Sequence, residues 1–392
     1  MVSAAILALL LPACTPDVTR LYAEERLTAL AVATGTPSQW RPDAALAIAA
    51  PDLSEAMKTV VRTAVTHGKP SIQIPLPLGI QAVVRPDLNV RSIKVRATTD
   101  CSACFAVHIS LDGQARWEAG PASGTVPLGA TADAILAVSV REASIVEIRP
   151  KRIEGLSVEV PSLGNLRVNA SGPIQEWLRQ TLAEAIPPIR IATLDTSALP
   201  VRELRLSTAG ERLMIEVLTD LPGSSALRAL PAPATGVEVA ISESAVTGLA
   251  RRAAFKAGVL DMDVAADPRG IVIDGATFTM DLRLWRLVGR GWYRDYDVTG
   301  DIAVSKGPKP RLEFVARNAV ETDKSPGALL VDPLAAVFQS RILDAIVTAM
   351  DRSLPAQTSQ RVVGAVLQAK STDARGIDDA LHLYGTLEVA EP

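Results

Sequence analysis

Apolar positions recur twice along the chain in one arrangement. From Pro173 they fall at Ile174, Trp177, Leu178 and Leu182, and from Pro333 at Leu334, Val337, Phe338 and Ile342, at offsets of one, four, five and nine in both cases. That spacing winds into a single stripe on a helix, and a proline at the first helical position gives up no hydrogen bond that the helix needs. The pattern predicts one helix from Pro173, stopped by Pro187-Pro188, and a second from Pro333 to about Ser353. A further echo precedes each. Leu46 and Ile48 alternate as a short strand running into a helix from Asp52, and Val237, Val239 and Ile241 do the same ahead of a helix capped by Ser242 or Ser244, with Val246 and Leu249 on its apolar side. The duplicated order is strand, helix, a long β-rich stretch, a long apolar-faced helix and a closing strand.

Between these helices the residues alternate with period two. Strands are predicted over Ser71–Leu78, Gly79–Val84, Val90–Ala97, Phe105–Leu111, Ala134–Val140, Ser144–Ile148 and Leu156–Val160, divided by turn signals at Pro86-Asp87, Asp112-Gly113, Gly120-Pro121 and Leu163-Gly164-Asn165. After the Pro173 helix come Val201–Ser207 and Leu213–Leu218. The second half adds Leu260–Ala265, Ile271–Val288, Gly291–Val304, Arg311–Ala316 and Leu381–Val389. Residues 221–236 are rich in Pro, Gly and Ser, the composition of a linker. The expected organisation is therefore α+β, two similar domains in tandem, 41–220 and 237–392, joined by 221–236.

Composition narrows the function. Of 392 residues 48% are hydrophobic but only 4% aromatic, so an interior cavity would have aliphatic walls, which suit acyl chains better than flat rings. A net charge of -3 without a basic stripe excludes a nucleic-acid footprint. The three histidines, His67, His108 and His382, stand in separate segments. No nucleophile elbow, phosphate loop, zinc-helix motif or dinucleotide glycine pattern is present, and Asp261/Asp263 and Asp295/Asp297 read as the wet faces of strands. The expectation is a non-enzyme with no cofactor and no metal.

The chain opens on an apolar run, Met1 to Ala13, too short to cross a bilayer and of the length of a signal-peptide core. Leu11-Pro12-Ala13-Cys14 resembles the bacterial lipobox, in which the cysteine is acylated. No Lys or Arg precedes the run, and a cleaved secretory signal or a buried helix are the other readings. As a lipoprotein, 1–14 is signal, Cys14 the lipidation site and 15–40 a tether; Thr15 resembles the outer-membrane sorting pattern, which implies a periplasm-facing location. Cys101 and Cys104 flank a hairpin turn rather than a helix N-terminus, so they read first as a structural disulfide, with free thiols as the alternative.

Gly236 to Leu249, a strand leading into a Ser-capped helix, and Pro173 to Leu218, a closing helix and strands, resemble the tubular lipid-binding superfamily. That group includes the bactericidal permeability-increasing and lipopolysaccharide-binding proteins. The resemblance covers about residues 40–392. It implies a long helix wrapped in each domain by a highly curved antiparallel sheet, with a slot for acyl chains between them, and a lipid as ligand. The slot residues are then Ile174, Trp177, Leu178, Leu182, Val246, Leu249, Leu334, Val337, Phe338 and Ile342. The chain lacks the helix-to-strand disulfide of animal relatives and the basic tip of the lipopolysaccharide binders. Width of the helix from Pro333 supports the slot independently, because Ala345, Ile346, Ala349 and Met350 extend its apolar face beyond what one sheet covers. The alternative is a scaffold or adaptor whose slots are filled by its own side chains.

One more cluster stands out. Arg283, Trp285, Arg286, Arg290, Trp292, Tyr293 and Arg294 surround a hairpin tip at Val288–Gly291. Arg290, Trp292 and Tyr293 suit a membrane interface or headgroup contact. Cross-strand aromatic packing explains the same residues.

Overall fold

The computed structural model describes residues 17–32, 40–67, 71–75, 80–141, 145–160, 171–185, 189–193, 200–208, 211–259, 263–289, 291–305, 312–325, 328, 359–362 and 365–390. These form an α+β architecture, mostly sheet, with four described helices: α1 (Val18–Leu30), α2 (Ala50–His67), α3 (Ser171–Ala185) and α4 (Glu243–Ala257). The helix expected from Pro333, with Leu334, Val337, Phe338 and Ile342, lies outside the described residues, as do Cys14 and Arg290.

Three antiparallel sheets carry the chain. The first holds six strands in sequential order: β2 (Ile72–Pro75), β3 (Gln81–Ala97), β4 (Cys104–Ala119), β5 (Ala122–Arg141), β6 (Ile145–Glu159) and β7 (Ile189–Thr193). The second holds β11 (Val264–Asp274), β12 (Thr277–Arg286), β13 (Trp292–Val304) and β14 (Leu312–Lys324). Between them runs a seven-stranded sheet built from both halves of the chain. It contains β1 (Ala44–Ala49), β8 (Val201–Thr208), β9 (Arg212–Thr219), β10 (Val237–Ser242), β15 (Ser359–Val362), β16 (Ala365–Ile377) and β17 (Ala380–Ala390), in the order β15-β16-β17-β10-β1-β9-β8.

Apart from β15, that order is symmetric about the β1–β10 pair. Each half contributes its opening strand to the centre, its last strand beside that, and the strand before last beyond it. β1 and β10 pair antiparallel, Ala44 opposite Ile241 through Ile48 opposite Val237. Asp43, buried at the head of β1, knits three strands together: its carboxylate accepts from Thr219 N–H at 3.0 Å and from the Thr219 hydroxyl, and its carbonyl accepts from Ser242 N–H at 2.9 Å. Burial pushes the Asp43 carboxyl up, against the lowering effect of those hydrogen bonds.

The helices after β1 and β10 do equivalent work. Asp52 stands in the first turn of α2, and Leu53, Met57, Val60, Val61 and Val65 give it a buried stripe. The α4 N-cap is Ser242, whose hydroxyl accepts from Ala245 N–H, and Gly258 ends it in a left-handed conformation, φ 73°. Each helix also satisfies strand N–H groups left open beside it. Ser54 of α2 accepts from Val95 N–H at 3.1 Å, while Glu243 and Thr247 of α4 accept from Ile273 and Ile271 N–H at 2.6 and 2.9 Å.

Several expectations are corrected by these coordinates. Pro86-Asp87 and Asp112-Gly113 are not turns: β3 and β4 run straight through them, giving strands of 17 and 16 residues. They lie at neighbouring levels of the ladder, Asp87 opposite Gln114 and Leu88 opposite Gly113, and β5 places Pro127 and Gly129 beside them. Turn-forming residues here line up as a row across the sheet, with β3 and β4 in close approach at Gly113. Each proline sits where its strand has a described partner on one side only, so no ladder bond is lost. Ile271–Val288 is a hairpin, not one strand, because Gly275, φ 55°, and Ala276 make a two-residue turn between β11 and β12. The segment expected as a free tether contains α1 and, at Trp40, an indole that donates to Glu216 and lies against Arg205. Residues 221–236 are coil, as their composition implies, but pinned: Leu221 is buried, Leu227 N–H donates to Pro42, and Ala232 N–H to Glu238.

Candidate functional site

The inner face of the six-stranded sheet is a long aliphatic trough. Alternate residues turn inward, so β4 supplies Phe105, Val107, Ile109, Leu111, Ala115 and Trp117, while β5 supplies Val126, Leu128, Ala130, Ala132, Ala134, Leu136 and Val138. Sixteen residues of β4 at a rise of about 3.4 Å give a trough of roughly 54 Å. Fifteen residues of α3 and eighteen of α2, at about 1.5 Å each, span only about 22 and 27 Å. All of the inward side chains named for β4 and β5 are buried in protein.

Ile174, Leu178 and Leu182, four residues apart on α3, point into this trough and are each 0% exposed. The stripe read from the sequence is the face that packs, and it meets protein without a water-sized gap. Burying each such side chain stabilises by about 1.5–3 kcal/mol. Trp177 lies at the edge, half-buried, alongside the half-buried Ile153, Leu156, Val158 and Val160 of β6 and the residue after it. A bulge at Gly155, φ 57°, turns Leu156 to the inner side, and Gln175 Nε2–H donates to the Leu156 carbonyl at 2.6 Å. The α3–β6 seam is thus an apolar strip partly open to solvent, closed by side-chain packing and this hydrogen bond.

A second apolar core lies between α4 and the four-stranded sheet. Val246 and Leu249 of α4 are buried in it with Val264, Ile271, Ile273, Phe278, Met280, Leu282 and Leu284. Phe314, Ala316 and Ala319 of β14 are only half-buried against it.

No family model matches the chain, and neither does any curated protein. Among solved structures it is similar to a lipopolysaccharide binding protein, at 13% identity and a TM-score of 0.43, over 90% of this chain and 100% of the other. It is also similar to P47 from Clostridium botulinum A2, at 10% identity and a TM-score of 0.35, over 88% and 97%. The first of these bears the name of one of the groups that the sequence resembles.

Cys101 and Cys104 are disulfide-bonded at the β3–β4 turn, with Cα atoms 5.3 Å apart. Ser102 C=O accepts from Thr208 N–H and Ala103 C=O from Val138 N–H, so the turn ties the six-stranded sheet to β8.

The aromatic cluster is built inward. Trp285 is fully buried, with Tyr22 of α1 and Tyr293 against it at 6.0 and 5.7 Å, and the Arg283 guanidinium lies 4.0 Å from the Tyr293 ring. Tyr293 is therefore engaged in cross-strand packing, and Trp292 is half-buried beneath Arg294. Beside the cluster lies an ion network that sequence reading did not find. Arg251 of α4 donates to Asp267, at 2.6 Å, and to Glu25 of α1; Asp295 accepts from Arg283 and Arg269. Burial raises the Asp267 carboxyl above its ordinary range even with Arg251 beside it.

The inner lining of β3–β5 and the α2 stripe were also missed as site residues, although Leu53, Met57, Val60 and Val61 carry the helical spacing in the sequence. Polar chemistry is sparse by comparison. A depression of about 400 Å³ on the sheet's outer face is lined by Lys94, Arg96, His108 and Asp133, with His108 Nδ1 2.8 Å from Asp133. Among the described residues no three His, Cys, Asp or Glu side chains converge as for a metal, and no helix is long and apolar enough to cross a membrane.

Proposed function

We propose that this chain is a non-enzymatic lipid-binding or lipid-transfer lipoprotein of the bacterial envelope, built as two similar domains and held to the membrane through Cys14. The observation that carries the reading is the half-exposed apolar seam at Trp177, Ile153, Leu156 and Val158, along the edge of the aliphatic core of the six-stranded sheet. An acyl chain would enter by parting α3 from β6, replacing contacts of Ile174, Leu178 and Leu182 with contacts to itself. About ten methylenes withdrawn from water contribute roughly 8 kcal/mol, enough to hold a lipid without a dedicated polar anchor. Val246 and Leu249, with Leu334, Val337, Phe338 and Ile342, would line the equivalent slot of the second half. The fully covered face of α3 favours the second reading, a scaffold lipoprotein whose slots its own side chains fill.

Extraction of the purified full-length protein into organic solvent, followed by mass spectrometry, separates the two. The carrier reading expects near-stoichiometric acyl lipid, and expects Trp177→Glu to reduce it several-fold while the protein stays folded. Repeatedly empty protein that takes up no labelled phospholipid would leave only the scaffold.

A further inference from the structure

Helix α1 fixes which end of the molecule meets the bilayer. Asp17 caps it, its carboxylate accepting from Thr19 and Arg20 N–H at 3.1 and 3.2 Å. Its ring and charges run antiparallel along α4: Glu25 pairs with Arg251, Arg26 donates to the Phe255 carbonyl, and Tyr22 packs on Phe255 at 5.4 Å. The first turn of α1 therefore lies past the C-terminal end of α4, at the β12–β13 turn. There Gly291 is so close to it that a Cβ would stand 3.1 Å from the Val18 Cβ.

We propose that the turn after α4, at Gly258-Val259, and the β12–β13 turn, at Leu287-Val288-Gly289, are the surface that docks on a phospholipid bilayer. The proposal rests on the reading of Cys14 as the acylated residue. Cys14 stands three positions before Asp17, and three steps of no more than about 3.6 Å reach about 11 Å. An acyl anchor that short holds the docked start of α1, and the two turns beside it, at the membrane. The opposite end of the sheet is much farther away, since the eleven residues of β11 span about 36 Å.

The surface at this end suits that role. Val259 and Val288 are 48% and 52% exposed, one on each turn. Arg286 and Trp292 form the last ladder pair before the β12–β13 turn, and both are half-buried beneath it. Two exposed aliphatic side chains on adjacent turns suit insertion among acyl chains. Two exposed acids border this end, Asp17, which caps α1, and Asp263, whose carbonyl accepts from Leu287 N–H.

The test uses the acylated full-length protein and vesicles of phosphatidylethanolamine and phosphatidylglycerol. An environment-sensitive fluorophore is attached at Val259→Cys, Val288→Cys or, as control, Val272→Cys. Val272 is 58% exposed and lies eight residues along β11 from Val264, about 27 Å away. Flotation with vesicles should be accompanied by a several-fold rise and blue shift at Val259 and Val288, with no change at Val272. Flotation with a response at Val272, or at no site, would overturn the orientation while leaving the anchor intact. Absence of flotation would remove the anchor itself, and the docking surface with it.

Discussion

At the scale of single residues, the curl of the six-stranded sheet depends on what Gly113 does not carry. A Cβ at this position would stand 2.0 Å from the Asp87 carbonyl oxygen and 3.0 Å from the Leu88 Cα, both backbone atoms that cannot rotate away. Strands β3 and β4 thus approach closely at the level where Pro127 and Gly129 of β5 also fall. Gly113→Ala must push these strands apart along the row where the sheet bends. The expected loss is at least about 3 kcal/mol, in the range of severe backbone strain. Gly120→Ala is the control: it has φ 56° but open space around it, so only the left-handed penalty of about 1 kcal/mol applies. Urea denaturation of both variants checks the ordering, and equal losses would show that close approach is not what the glycine provides.

At the scale of elements, local pattern was legible where one residue's neighbours in sequence decide its fate. The α3 stripe at Ile174, Leu178 and Leu182, the Ser242 cap of α4 and the disulfide turn of Cys101 and Cys104 are all of that kind. What failed needed knowledge across strands. Pro86-Asp87 and Asp112-Gly113 carry ordinary turn chemistry, and only their pairing across the ladder, with Gln114 and Leu88 among the partners, keeps them within strands. Helix α1 was hidden for another reason: its few buried residues, Val18, Tyr22 and Ala29, make too narrow a stripe to announce a helix, and its place is set by Phe255, Trp285 and Arg251 far along the chain.

The Arg251 link gives that docking a measurable signature. Asp267 is fully buried and carries a raised folded-state pKa, so its burial penalises stability above the ordinary carboxylate range and not below it. Arg251→Met removes the hydrogen-bonded partner that chiefly offsets the penalty, leaving a buried charge with only the Arg269 field to favour it. The expected cost is about 3–5 kcal/mol at pH 7. As pH falls through the further raised pKa, Asp267 takes up a proton in the folded state and the cost shrinks. Unfolding midpoints at pH 7 and pH 4.5 decide the matter; a deficit equal at both values would mean that lost packing of the Arg251 stem, not the buried charge, explains it.

For the whole molecule, the central sheet makes the two halves mutually dependent. Chains of this size commonly unfold domain by domain, and a Pro-rich connection such as 221–236 invites that expectation. The cores argue otherwise. Val237 and the half-buried Leu387, from the second half, complete the first core, while Ala44, Val217 and Leu221, from the first, complete the second. Separating the halves would strip β1 from β10, expose both edges, and undo the Asp43 hydrogen bond to Ser242. Calorimetry of the full chain should therefore show one transition, with calorimetric and van't Hoff enthalpies in agreement. Cleavage at a protease site engineered between Leu230 and Thr235 should leave the fragments co-eluting, because β1–β10 pairing and not the connecting coil holds them. Two resolved transitions, or fragments that part on gel filtration without denaturant, would mean that each half is sufficient alone. On the carrier reading α3 parts from β6 at the rim of a first core that also holds Ile48 of β1 and Val237 of β10. Loading of lipid should then broaden or raise the single transition, by the linkage of binding to the folded state, without splitting it into two.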